Sequence, residues 1–172
     1  MNPYVPVVNQ KISFCKMLLN EGIKKNRFSK KKAAVQIQAA LFQSAIYHLE
    51  SAYIFYLKEI GHTYRCKDIE SINSLKKLQS ALININKIAT EHDELELLLK
   101  DEQSWLSLLL AEYKKLSLPL SLITKKNNDH SLTLLEVKQL DDNIIVEFID
   151  VDDWLNNFKE ILTRNRNLMH EC

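Results

Sequence analysis

Apolar residues recur along most of the chain at the spacing of one helical face. Near the N-terminus, steps of three and four residues join the members of the first stripe, which are Val8, Ile12, Cys15, Leu19 and Ile23. Side chains at such steps lie on the same side of a helix. The pattern predicts a first helix that begins after Pro6.

The longest stripe predicts a central helix from Lys30 to about Ile60. Ser29 can accept a hydrogen bond from an early backbone N–H, and Gly61 can supply the left-handed residue that ends a helix. The face that we expect to be buried carries Ile37, Leu41, Ala45, His48, Ala52, Tyr56 and Ile60. We therefore expect His48 in or beside the core, where a hydrogen-bonded histidine is commoner than a metal ligand.

Shorter stripes predict further helices in the second half of the chain. Asp68 or Ser71 can cap a third helix, whose stripe consists of Ile72, Leu75, Leu78, Leu82 and Ile85. Residues 90–100 form an acidic turn or helix that we expect to be exposed, and residues 105–116 form a helix that Pro119 ends. A last helix runs from about Asp152 to Leu168.

A different period precedes that last helix. Two sets of alternating apolar residues flank Asp141-Asp142-Asn143, namely Thr133, Leu135 and Val137 and then Ile144, Val146 and Phe148. Alternation around such a turn favours a short β-hairpin at residues 132–149. The predicted fold is therefore mainly α: a single domain over residues 1–172, built as a bundle of about five helices with a hairpin insert.

The chain contains only two glycines, Gly22 and Gly61. Rossmann and P-loop sites need several glycines within one turn, because the backbone must approach phosphate closely. Both classes of nucleotide site are excluded, and we expect no cofactor.

Candidate metal ligands are few. The three cysteines, Cys15, Cys66 and Cys172, form no CxxC pair, which is typical of reduced thiols and not of a disulfide framework or a zinc site. Glu59 and His62 have the Glu-x-x-His spacing of di-iron bundles, but such sites need a second copy of the motif. We expect no metal.

A formal net charge of +1 gives the protein no overall field that would attract nucleic acid or an anionic membrane. The N-terminus lacks the basic and apolar stretches of a secretory signal. No apolar stretch is long enough to cross a bilayer. We expect a cytoplasmic protein with no membrane partner.

Charge is nevertheless concentrated in two places. A basic patch, which could contact a protein partner or phosphates, consists of Lys24, Lys25, Arg27, Lys30, Lys31 and Lys32. Phe28 lies within it and could stack on a base, although a solvated linker explains the same residues. An acidic set consists of Glu91, Asp93, Glu94, Glu96, Asp101 and Glu102. The two sets can offset each other within one molecule or meet between molecules, and the sequence leaves both alternatives open.

Several blocks resemble an uncharacterised bacterial domain-of-unknown-function family of short helical proteins. They are Asn2-Pro3-Tyr4, Val8-Asn9-Gln10-Lys11, Gln38-Ala39-Ala40-Leu41-Phe42, Tyr47-His48-Leu49, Ala52-Tyr53, Glu59-Ile60, Ser104-Trp105-Leu106, Leu109-Leu110 with Tyr113, and Glu171-Cys172. The resemblance touches about half of the chain and consists mainly of apolar and small residues. It implies a helical fold and brings no activity.

The C-terminal residues resemble the loose R-x(4–6)-H pattern of HEPN ribonucleases. In such a site His170 would be general acid or base, and Arg164 or Arg166 would stabilise a charged phosphorane. Cationic side chains are also favoured at any helix C-terminus, because the helix dipole is negative there. That structural explanation accounts for all three residues.

The favoured interpretation is a small non-catalytic helical interaction module whose tyrosine-rich central helix and basic patch meet a protein partner or a second copy. The alternative is a HEPN-like RNA-binding or RNA-cleaving protein that uses Arg164 and His170.

Overall fold

The computed structural model of the chain describes the backbone of residues 1–26, 32–116 and 135–170 and the side chains of residues 1–24, 36–116 and 148–167. Six α-helices and no strand occur in these ranges. The helices are α1 (Tyr4–Asn26), α2 (Lys32–Thr63), α3 (Leu75–Ile83), α4 (Thr90–Lys100), α5 (Trp105–Leu116) and α6 (Leu135–His170), with a short 3-10 helix (Ile69–Ser71) before α3. The predicted mainly helical bundle is confirmed, with six helices in place of about five.

The N-terminus of α1 is fixed by Asn2. Its Oδ1 accepts the backbone N–H of Tyr4 at 3.1 Å, so the helix begins before Pro6 and not after it. A proline is tolerated in the first turn because its missing N–H would have no partner inside the helix. Burial along α1 follows the predicted stripe through Val8, Ile12, Cys15 and Leu19, but Ile23 is exposed and the stripe continues at Gly22.

α1 and α2 pack as an antiparallel pair. Nδ2 of Asn2 donates to the backbone oxygen of Glu59 at 2.8 Å, which places the start of α1 beside the end of α2. Midway along the pair, the rings of Phe14 and His48 meet edge to face at a centroid distance of 5.4 Å. His48 is half-buried, next to the core as expected.

The α2 helix is buried over more than one face. Its fully buried residues include Ala45, Ile46, Leu49, Ala52, Tyr56, Leu57 and Ile60, whereas Ile37 of the predicted stripe is 46% exposed. The helices α1, α3, α5 and α6 all pack against it. It is the central helix, as predicted.

The stop at the end of α2 differs from the prediction. Gly61 is helical, and the left-handed residue is Arg65, with a φ of 59°. The N–H of Cys66 donates to the oxygen of Gly61 at 2.8 Å, and the N–H of Arg65 donates to the oxygen of His62 at 3.0 Å. These two bonds form a Schellman motif, which satisfies the last carbonyls of the helix.

The cap of α3 is Ser74, and not Asp68 or Ser71. The Ser74 side chain accepts the backbone N–H of Lys77. Asp68 instead precedes the 3-10 helix in the left-handed conformation. The predicted stripe is buried at Ile72, Leu75, Leu78 and Leu82.

The predicted β-hairpin at residues 132–149 is wrong where the structure describes the chain, because Leu135–His170 is one helix. The buried residues Phe148, Val151, Leu155, Phe158 and Leu162 follow one another at steps of three and four. These steps are those of one helical face, and the period-two alternation that ends at Phe148 was too short to identify a strand.

Gly22 lets α6 approach α1. A Cβ atom at Gly22 would overlap the ring of Phe148, which also packs edge to face on Phe42 at 5.5 Å. At Gly61 a Cβ would lie 2.6 Å from Cδ1 of Ile72, which is the end of a flexible side chain. No helix in the described ranges combines the length and the apolarity needed to cross a membrane.

We predict that Gly22→Ala lowers the free energy of unfolding by about 1–2 kcal/mol, because overlap with a packed aromatic ring exceeds the helix-propensity gain of alanine. Gly61→Ala is the matched control and should change stability by less than about 1 kcal/mol, since Ile72 can move its terminal methyl. Urea unfolding followed by circular dichroism measures both. Equal midpoints for Gly22→Ala and the wild type would contradict the prediction.

Candidate functional site

A buried carboxylate near the end of α2 is held by the C-terminal part of α6. Glu59 is 2% exposed. Arg166 donates to its two oxygens from Nε and Nη2, each at 2.7 Å, and also donates from Nη1 to Oδ1 of Asn9 at 2.9 Å. Two parallel bonds between a guanidinium and a carboxylate are a strong and geometrically specific ion pair.

The neighbouring residue of α6 extends the polar contacts to α4. Nδ2 of the buried Asn165 donates to the hydroxyl of Tyr56 at 2.9 Å and to Oε2 of Glu94 at 3.2 Å. Arg164 forms an ion pair with Glu94 as well. Burial raises the pKa of Tyr56, and the nearby carboxylates Glu91, Glu59 and Glu94 raise it further, while the bond from Asn165 lowers it.

We call this set the polar layer; it consists of Asn9, Tyr56, Glu59, Glu94, Arg164, Asn165 and Arg166. It joins α1, α2, α4 and α6 at one end of the bundle. Its two carboxylates are matched by two guanidinium groups. In this arrangement both arginines of the predicted catalytic pattern bind carboxylates of the protein itself.

The catalytic prediction for His170 remains a prediction. His170 is the last residue of α6, and its side chain lies outside the described residues. Arg164 keeps more than half of its side chain exposed at 55%, whereas Arg166 is 22% exposed. Of the arginines, Arg164 is therefore the more accessible to an outside anion.

Beside the polar layer, an open groove of about 400 Å³ runs between α4 and α6. Its walls combine apolar and charged side chains: Glu94, Leu97, Leu98, Asp101, Trp105, Asn157, Glu160, Ile161 and Arg164. Leu97 is 67% exposed although it is a large apolar residue. We call this feature the acidic groove, because three carboxylates and one guanidinium line it.

Part of the acidic set is buried, contrary to the prediction of an exposed segment. Glu91 and His92 of α4 are 4% and 6% exposed. Glu91 accepts the hydroxyl of Tyr64 at 2.9 Å, and it lies in the first turn of α4, where the helix dipole favours a negative charge. The hydrogen bond from Tyr64 and the helix dipole together explain how the carboxylate of Glu91 is tolerated in the protein interior.

The basic patch is described only at its edges. Lys24 is exposed and lies 3.4 Å from Glu21 on the same helix. The backbone of Lys25 belongs to α1, and Lys32 is the first residue of α2. The side chains of these two lysines lie outside the described residues, as do all atoms of Arg27, Lys30 and Lys31. Its predicted role as an interaction surface stays a prediction.

The two residues of the Glu-x-x-His spacing, Glu59 and His62, contact different parts of the protein. His62 packs edge to face on Tyr4 at 6.1 Å, while Glu59 faces Arg166. Within the described ranges, no three or more histidine, cysteine, aspartate or glutamate side chains converge as metal ligands would. Burial raises the pKa of the Cys15 thiol to about 12, with a further contribution from Asp152.

The model of a family of unknown function, DUF6586, matches residues 1–172. The chain belongs to DUF6586. This confirms the predicted resemblance to an uncharacterised family. No curated protein and no solved structure matches the chain.

In this DUF6586 chain, sequence reasoning missed the partners of both arginines and the acidic groove. Glu59 and Arg166 are separated by 107 positions, so no local spacing connects them. One signal was present: residues 163–167 are five consecutive polar residues between the apolar pairs Ile161-Leu162 and Leu168-Met169. Consecutive helical residues point in directions about 100° apart, so such a run meets more than one neighbouring helix.

We predict that Arg166→Ala lowers the free energy of unfolding of the DUF6586 chain by about 3 kcal/mol, because it leaves the Glu59 carboxylate buried without a cation. Arg164→Ala is the matched control and should cost less than about 1 kcal/mol, since its pair with Glu94 is solvent-exposed and screened. Chemical denaturation of both variants measures the difference. An equal loss of unfolding free energy in the two variants would contradict the prediction that the buried ion pair contributes more than the exposed one.

Thiol labelling tests the burial of Cys15. At pH 7 a thiol with a pKa of about 12 is ionised in only about one molecule in 10⁵. We expect iodoacetamide to label Cys15 of the DUF6586 protein only under conditions that unfold it, as followed by peptide mass spectrometry. Labelling in native buffer at the rate of a small free thiol would contradict the described packing of α1.

Proposed function

We propose that this DUF6586 protein is a non-catalytic helical module that binds a segment of a protein in the acidic groove. The observation that carries the proposal is the open groove of about 400 Å³ between α4 and α6, where Leu97, Leu98, Trp105 and Ile161 lie together among charged side chains. Leu97, at its edge, is 67% exposed. Contiguous apolar surface that is rimmed by polar residues is typical of protein interaction sites and of ligand-binding grooves.

The shape of the groove supports a peptide as its ligand. It is open to solvent between residues 94–101 and residues 157–164, and it offers apolar contacts from Leu98, Trp105 and Ile161 beside the exposed Leu97. Grooves between helices bind amphipathic segments through apolar anchors at regular spacing. Small-molecule sites, in contrast, enclose most of their ligand.

The polar layer supports the same proposal, because it keeps one wall of the groove in place. Glu94 connects α4 to α6 through Arg164 and Asn165. Side chains held by ion pairs and hydrogen bonds lose less conformational entropy on binding. The wall of the groove is therefore organised before a ligand arrives.

We predict that a photo-crosslinking amino acid placed at Leu97 forms a discrete crosslink to a protein in the native host, because the side chain would lie against the bound segment. The matched control is the same amino acid at Ile88, an apolar residue that is 83% exposed and lines a different cleft. Gel shift and mass spectrometry identify the product. Identical crosslinking at both positions, or none at Leu97, would overturn the proposal.

A further inference from the structure

We infer that the segment bound in the acidic groove is the basic segment of a second copy of the chain. This inference rests on the proposed function and names its partner. The basic segment is residues 24–32, with the sequence Lys24-Lys25-Asn26-Arg27-Phe28-Ser29-Lys30-Lys31-Lys32. It contains six cations, no acidic residue and one aromatic side chain.

The charges of the two surfaces are complementary. The groove is lined by Glu94, Asp101 and Glu160 against the single guanidinium of Arg164. Because Arg164 already pairs with Glu94, the remaining rim is negative. Glu160 is exposed and has no hydrogen-bond partner among the described residues. Such a rim attracts a cationic segment and fixes its orientation.

The apolar parts are complementary as well. Leu97 is exposed and Trp105 is partly buried at the groove. Phe28 is the only aromatic residue of the basic segment, and cations flank it on both sides. An apolar anchor between charges matches an apolar groove with a charged rim, as at the centre and edge of protein interfaces.

The basic segment of the same molecule is too far away to occupy the groove. α1 and α6 are antiparallel: Asn9 contacts Arg166, Lys16 pairs with Asp152, and Gly22 packs on Phe148. The groove residues of α6 begin at Asn157, nine positions beyond Phe148, which is about 14 Å at 1.5 Å per residue. From Gly22, α1 continues in the opposite direction to Asn26, which adds about 6 Å. The end of α1 points away from it.

The link between α1 and α2 cannot cover that distance. Only residues 27–31 connect the two helices, and both of its ends are fixed at the far end of the bundle. Five extended residues span about 18 Å, and because the link starts and ends at the same end of the bundle, it can reach outward by only about half of that length, about 10 Å. A basic segment of this chain that occupies the groove therefore comes from another molecule.

A contact between two different surfaces has a consequence for assembly. Each molecule would donate its basic segment to one neighbour and receive the segment of another in its groove. Such heterologous contacts form rings or open chains and not only closed dimers. Because the rim charges are exposed, the contact should weaken strongly with salt.

Analytical ultracentrifugation of the full chain tests the inference. At about 50 mM salt the wild type should associate as its concentration rises toward about 1 mM, and about 500 mM salt should weaken this association at least about tenfold. The groove variant Leu97→Lys/Glu160→Lys and the segment variant Lys30→Glu/Lys31→Glu should each remain monomeric. All four positions lie on exposed side chains or outside the described residues, and circular dichroism checks the fold of each variant.

The decisive measurement is the equimolar mixture of the two variants. The groove variant keeps a native basic segment, and the segment variant keeps a native groove, so the mixture should form a heterodimer that does not extend further. The control Ile88→Lys/Glu96→Lys adds the same charge at a different cleft, which the groove residues do not line, and should associate like the wild type.

A wild type that stays monomeric, a segment variant that still associates, or a mixture without heterodimer would overturn the inference. The crosslinking experiment at Leu97 distinguishes a failure of this inference from a failure of the proposed function. A crosslink from Leu97 to a different protein would keep the groove as a binding site and replace the second copy as its ligand. No crosslink at Leu97 would remove both.

Discussion

The burial of α2 is the constraint on which the other helices depend. A helix that is apolar over most of its circumference cannot face water, so neighbours must cover it on several sides. Ala45 and Ala52 are fully buried and let those neighbours approach closely, while Tyr56 and Leu57 fill the remaining space. The positions of α1, α3, α5 and α6 follow from this requirement, since each packs against α2.

The polar layer selects one register among the arrangements that burial alone would allow. Glu59 lies on the buried helix and is 2% exposed, so it needs a cation with suitable geometry. Sliding α6 along α2 by one helical turn, or rotating it about its axis by the angle of one residue, about 100°, would remove Arg166 from Glu59 and Asn165 from Tyr56 together. Apolar packing therefore holds the helices together, while these polar contacts define how α6 lies on α2.

The helices could be predicted from sequence because their pattern is local, but several details could not. Arg65 adopts the left-handed conformation without the glycine that usually marks it. The alternation that ends at Phe148 is too short to separate strand from helix, and only the continuation to Leu162 decides it. The partner of Glu59 is distant in sequence, and local spacing gives no information about such a pair.

The described ion pairs bear on whether the acidic and basic sets offset each other within one molecule. Glu94 pairs with Arg164 of α6, Glu96 pairs with Lys100 of α4, and the buried Glu91 accepts a bond from Tyr64. These cations and donors come from outside the basic segment. Among the described residues, Asp101 and Glu160 of the groove form no ion pair, whereas Glu94 and Glu96 do. The charges that a bound basic segment would neutralise in our proposal are therefore those of Asp101 and Glu160.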